Sequence, residues 1–207
     1  MPGLQATIAA IDAANATDPR QDDDAPFETV YARRMSACLD ELYPEASEHL
    51  KIAARAQHLR RWEIARSDYP EGRVGYNDWR RACRTHHARL AAEIMYAKGY
   101  DEDAIEHVGR LIRKEQLKKD PDSQALENVA AVVFLEYYFD AFLKKHAGYT
   151  DEKIVDILGK TLCKMSSRGH AAALALPLDE RARTLVAAAL KREAATLERL
   201  AALAPDA

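Results

Sequence analysis

The sequence predicts an all-α protein, on three observations. Alanine, leucine and charged residues dominate while valine and isoleucine are sparse; no alternating apolar and polar run reaches strand length; apolar residues recur at three- and four-residue spacings through most of the chain. At 207 residues the chain is long enough to bury a core of its own without covalent staples. The expected architecture is a single helical bundle of seven or eight helices over residues 1–177, with a C-terminal helical extension over 178–207 packed on it.

The elements follow in order. A first helix is predicted over 3–16, with Leu4, Ile8 and Ile11 on one stripe, and it stops at an acidic loop, DPRQDDDAP, whose composition reads as mobile over 18–26. The second, over 27–42, places Phe27, Val30, Tyr31, Met35, Cys38 and Leu42 on one face and ends before Pro44. A third is predicted from Glu45 to Arg61, then a loop marked by Pro70, Gly72 and Gly75, then a fourth over 77–98 that closes at Gly99. Asp101 is placed to cap a fifth helix, with Glu102 and Asp103 where the helix dipole favours anions. Pro121 breaks the chain, and a sixth helix runs from Asp122 or Ser123 through Ala147 with the apolar centre VAAVVFLEYYF. Thr150 caps a seventh that ends near Gly169, where glycine is read as a helix stop. A last helix, over 179–203, sets Val186, Leu190, Leu197 and Leu200 in a partial heptad, either as an internal packing face or as the seam of a homodimer.

Three widely spaced cysteines, Cys38, Cys83 and Cys163, encode neither a disulfide framework nor a zinc ribbon. The N-terminal residues lack the basic start and continuous apolar run of a signal peptide, and no stretch nears the roughly 20 apolar residues of a membrane span. The expectation is a cytoplasmic protein with no membrane partner.

Charge is unevenly distributed. Nine arginines and no lysine lie between Arg55 and Arg89 against four acids, so this stretch is +5 while the whole chain is −3. Arginine forks two hydrogen bonds onto a phosphate or carboxylate and stacks on rings, and Trp62, Tyr69, Tyr76 and Trp79 supply rings in the same interval. Two readings stand side by side: a solvated basic face with structural aromatics, or a site for a small anionic ligand. On the second, Arg60, Arg61, Arg66, Arg73, Tyr76 and Trp79 bind substrate. Glu136, inside the apolar sixth helix, is expected to be buried and therefore paired, protonated or bound to metal. A further cationic run, Arg110 to Lys119, is either a helix end suited to its dipole or a second clamp on an anion.

The segments AARAQHLRRWE, THHARLAAEIMYAKGY and LENVAAVVFLEYYF resemble, in order and spacing, the metal-dependent HD phosphohydrolase superfamily, an all-helical fold. That resemblance covers residues 27–140. It implies that Gln57 and His58 stand for the family's His-Asp pair, His87 for a later histidine and Glu136 for a distant acid, while Tyr31 replaces the first histidine. The implied centre is one divalent metal (Fe, Mn or Zn) on His58, His87 and Glu136, with Gln57 and Glu63 as catalytic candidates and hydrolysis as the default reaction. The duller alternatives are a His58–Glu63 pair and a structural network of Glu136 with Tyr31, Arg55 or Arg113. A closer similarity, carried by QHLRRWEI, SDYPEGRVGY, LIRKEQLKKDP, LENVAAVVFLEYYF and KMSSRGH, is to the domain-of-unknown-function family number 4202, which implies a common fold and no assigned reaction.

KMSSRGH, residues 164–170, also resembles the nucleotide-binding loop of class I aminoacyl-tRNA synthetases. With no strands for a Rossmann sheet and no upstream partner motif, that activity is not carried over. The sequence therefore leaves two function classes: a metal-dependent enzyme on a small anionic, nucleotide-like substrate, or a non-catalytic module that binds RNA or a nucleotide through residues 55–89.

Overall fold

The computed structural model describes residues 3–22 and 24–203. Among these, ten α-helices and one two-residue ladder make the fold all-α: α1 (Leu4–Asn15), β1 (Gln21–Asp22), β2 (Ala25–Pro26), α2 (Phe27–Leu42), α3 (Glu48–Arg55), α4 (Gly72–Ala97), α5 (Glu102–Arg113), α6 (Pro121–Val133), α7 (Phe139–Lys145), α8 (Asp151–Leu162), α9 (Ser167–Ala175) and α10 (Glu180–Leu203). No helix among the described residues is long and apolar enough to cross a membrane. The chain divides into two compact units, residues 1–115 and 116–207.

In the first unit α4 packs on α5, α3 on α5 and α2, and α1 on α2, α3 and α4. Ile11, Met35, Leu39, Leu50, Ile52, Leu59, Met95, Leu111 and Ile112 are fully buried between them. Ser47 and Asp101 cap α3 and α5 by accepting from Leu50 N and Ala104 N. The acidic loop carries hydrogen bonds among its described residues. Asp18 accepts from Arg20 N and Nε, both at 3.0 Å, and from Glu28 N at 3.1 Å, and β1 pairs antiparallel with β2 around it.

Two helices depart from their predicted bounds for reasons outside their own periodicity. The predicted third helix ends at Arg55 because residues 56–60 turn, and Arg60 takes a left-handed φ of 51°. The predicted fourth starts at Gly72 rather than 77 and includes Gly75, whose added Cβ would stand 2.0 Å from the Pro70 carbonyl oxygen. That oxygen belongs to a backbone held by Arg66, which donates to the carbonyls of Tyr69 (2.8 Å) and Pro70 (3.0 Å). Gly75→Ala is therefore expected to destabilise the protein by about 3 kcal/mol, the upper end for overpacking, read as a shifted midpoint in urea with an unchanged slope.

In the second unit α10 packs chiefly on α8, and α6 on α9. Ala182, Leu185, Val186 and Ala189 of α10 are buried, so the N-terminal part of its apolar face is used internally. The predicted sixth helix is interrupted: α6 passes into a π-helical turn over Phe134–Tyr138 before α7 begins. The predicted seventh is two helices, α8 and α9. Gly169 is not a stop but lies in the first turn of α9, where a Cβ would meet Asn128 Oδ1 of α6 at 2.6 Å.

Candidate functional site

What ends α3 also builds the site. Asn15, buried at the end of α1, accepts from Arg60 N at 3.0 Å and donates to the Glu28 carbonyl at 3.4 Å. His87 of α4, only 1 % exposed, bonds the Leu59 carbonyl through Nδ1 at 2.8 Å. Side chains from α1 and α4 thus take up backbone groups that another helical turn would have used. The resulting turn presents His58, which stacks on Tyr31 of α2 at 3.9 Å between centroids and 10° between planes, with the His87 ring 5.9 Å away.

Glu28, in the first turn of α2, is the fully buried carboxylate of this cluster. Its Oε1 accepts from Arg20 at 2.7 Å. Its Oε2 lies 3.3 Å from His58 Nδ1 without the alignment of a hydrogen bond, so both atoms remain buried and unpartnered, as do His87 Nε2 and Gln57 Oε1. These unsatisfied polar atoms come from three elements, α2, the turn after α3 and α4.

The protonation states follow from the surroundings. Burial pushes the Glu28 carboxyl up, and the hydrogen bond and charge of Arg20 with the charge of Arg61 offset this only in part. Burial holds His58 well below its ordinary value, and the charges of Arg61, Lys114, Arg80 and Arg20 hold it lower still. His87 is likewise well below, through burial and then the neighbouring His58 and Arg61. At neutral pH both imidazoles are uncharged. Because a carbonyl only accepts, His87 carries its proton on Nδ1 and offers the lone pair of Nε2. Burial works to raise Asp18 too, but the hydrogen bonds from Arg20 and from Glu28 N outweigh it and leave a carboxylate that fixes Arg20.

The family model for a domain of unknown function, DUF4202, matches residues 5–186. The chain belongs to that family. The match spans Glu28, Tyr31, His58 and His87 and most of the rest of both units. No curated protein and no solved structure matches the chain.

In this DUF4202 protein the cationic rim is ordered by rings. Arg61 lies over Trp79 at 4.6 Å and Arg80 over Tyr76 at 5.8 Å, with the two rings 5.7 Å apart. Trp79 is fixed by donating to the Ile64 carbonyl at 2.9 Å, and Tyr76 stays 44 % exposed. Cys83, buried near Arg61, Arg80 and Glu28, is kept as a thiol chiefly by burial.

The structure therefore joins Tyr31, His58 and His87, with Gln57 buried beside them in the sequence, and sets Arg61, Tyr76 and Trp79 in one stack. It places others elsewhere. Glu63 pairs with Arg60 and with His86 Nε2 (3.0 Å) rather than with His58. Arg66 caps the 69–70 carbonyls, and Arg73 is exposed in the first turn of α4. Glu136 is not a buried acid: it lies in the second unit, in the π turn, on an exposed position. Its predicted structural partners have others, since Arg55 binds Asp12 and Arg113 binds Glu106 and Glu115. Among the described residues no group of three or more His, Cys, Asp and Glu is placed to hold a metal ion.

Sequence reasoning missed Glu28 and Arg20, whereas Arg80 lies in the arginine-rich stretch 55–89 and Lys114 in the cationic run Arg110 to Lys119. For Glu28 a signal existed: it stands three residues before Tyr31 and seven before Met35, in register with the apolar stripe of α2. An acid on that stripe is buried for a reason.

Proposed function

We propose that the first unit carries an acid–base pocket that acts on a small anionic substrate bearing a phosphate or carboxylate, with hydrolysis as the default reaction. The observation that carries this reading is the meeting of unpartnered Glu28 Oε2, His58 Nδ1 and His87 Nε2 within the field of Arg20, Arg61, Arg80 and Lys114. The cations would take the substrate's charge and stabilise charge developing in the transition state. The lone pair of His87 Nε2 would accept a proton from the attacking water, and Glu28, whose proton affinity burial raises, would supply one to the leaving oxygen. Bound anion would offset the rim's charge on His58 and raise its proton affinity, which couples binding to proton transfer.

The convergence of Tyr31, His58 and His87, three positions of the HD-like overlay, supports a distant relation to that superfamily. A divalent metal would have His58 and His87 as nitrogen donors and Glu28 in place of Glu136 as its carboxylate; the donors are chemically apt, although among the described residues the three are not grouped closely enough to share an ion, and no step above needs one. The exposed Tyr76 on the Arg61–Trp79–Arg80 stack favours one second reading, a binding surface for RNA or a nucleotide.

The test is turnover of a panel of phosphomonoesters and carboxylic esters by wild type and Glu28→Gln, with EDTA and with added manganese, zinc or ferrous iron. Activity that survives EDTA and falls in the variant is the expected result. Activity restored only by metal would move the site to a metal mechanism. No turnover, with RNA retention that weakens steeply with salt, would establish the binding surface instead.

A further inference from the structure

The KMSSRGH segment and the end of the cationic run, unused by the first unit, meet at a cleft in the second. The cleft, of about 380 Å³, lies where α6 and α9 begin beside the C-terminal half of α10. One wall is apolar, made by Pro121, Met165, Leu197 and Leu200; the other holds Lys119, Ser167 and Gln124.

Three features make this a built site. First, α9 starts without a side-chain cap, because the oxygen of its N-cap Ser166 accepts from Asn128 Nδ2 (2.8 Å), so the positive end of the helix is left for a ligand at Ser167. Second, Gln124 is 94 % buried in the lining. Its Nε2 donates to Asn128 Oδ1 (3.1 Å) and to the Lys164 carbonyl (2.9 Å), which fixes the amide's orientation and leaves Oε1 buried with no partner. Third, Lys118 takes a left-handed φ of 71° and donates to the Met165 carbonyl at 2.9 Å, tying the cationic loop to the KMSSRGH turn. Of the two acids at the cleft, Asp120 is engaged in capping α6 through Asp122 N and Ser123 Oγ, and Glu198 is exposed on α10.

We propose that this cleft binds a small amphiphilic anion, a phosphate or carboxylate carried on an apolar ring, with the head at Ser167 and Lys119, the ring against Leu197 and Leu200, and an O–H or N–H donated to Gln124 Oε1. The helix end alone would take any anion; the apolar wall selects one with a body.

The experiment is calorimetric titration of the full chain with phenyl phosphate, benzoate, phenol and inorganic phosphate, repeated on Ser167→Glu, Lys119→Glu and Arg61→Glu. Ser167 is exposed, and a glutamate there suits a helix N-terminus, so the fold is retained. The expected result is a saturable site for phenyl phosphate or benzoate that persists in Arg61→Glu, with phenol and inorganic phosphate at least about tenfold weaker at it, and about a tenfold loss at that site in Ser167→Glu and Lys119→Glu. The stronger of the two anions identifies the head group. Binding lost only in Arg61→Glu would belong to the first unit and overturn the proposal, as would binding indifferent to both second-unit variants or no saturable binding at millimolar concentration.

Discussion

Replacing His87 by asparagine is expected to lower turnover of an accepted ester by roughly 10²- to 10⁴-fold while leaving the protein folded. The asparagine amide can still donate to the Leu59 carbonyl as Nδ1 does now, so the turn that shapes the pocket is kept. What disappears is the unpartnered Nε2, the group assigned the proton. KM should change little, because on the proposed reading the anion would be held by Arg20, Arg61, Arg80 and Lys114, and the loss should therefore sit in kcat. His86, one residue away and paired with Glu63, is the control: His86→Asn is expected to leave the rate within about threefold. Equal losses in the two variants, or a loss in KM alone, would remove His87 from proton transfer.

Acidification is expected to unfold this protein earlier than its carboxylates alone would dictate. His58 and His87 have folded-state values well below the ordinary histidine value of 6.5. Below that value the unfolded chain binds protons that the folded chain refuses, so stability is full above it and is lost as pH falls. Each histidine contributes a slope of about 1.4 kcal/mol per pH unit in that window, and two of them acting together matter against a total of roughly 5–15 kcal/mol. Glu28 acts in the opposite sense. Its folded value is raised, so between its ordinary 4.5 and the raised value the folded state takes up the extra proton and part of the loss is offset. Urea midpoints measured from pH 7.5 to pH 5 should fall steeply below pH 6.5 in the wild type, and the fall should be about halved in His87→Asn. A flat profile over that range would mean that the two histidines titrate normally.

How far this was legible from residues depends on whether the deciding partner was local. The all-α class follows from spacing within each helix, and the caps at Asp101 and Thr150 follow from residues within four positions of the groups they bond, whereas the third helix, expected from Glu45, starts at Glu48 behind the Ser47 cap. Where a helix stops because a distant side chain captures its backbone, spacing is silent. Asn15 and His87 terminate α3 from 45 and 28 residues away, and nothing in the periodicity of residues 45–61 announces either. The same holds for Gly75 and Gly169, whose lack of a side chain reads as helix breaking until Pro70 and Asn128 are seen against them. At the candidate site, His58 and His87 stand out in the sequence because histidine is rare, whereas Glu28 is one of 33 acidic residues. Glu136 drew attention through its apolar neighbours, but that argument assumed an unbroken 3.6-residue period.

That broken period has a consequence for how the second unit tolerates change in length. The π turn at Phe134–Tyr138 is one residue of slack wound into a continuous helix, and it resets the phase between α6, buried along nearly its whole length, and α7, where Phe139 alone is fully covered. Removing a single residue from FLEYY would let the helix run straight through with its far end in nearly the same phase, because five residues of the wider π turn carry the chain about as far round as four residues at about 100° each. Phe139 and Phe142, now packed with Phe134, would keep their side of the helix, whereas winding all five residues as plain α-helix would turn them by about 100°. The segment is thus a length buffer as well as a connector: a chain one residue shorter here would keep the phase of α7 by closing the π turn into plain helix.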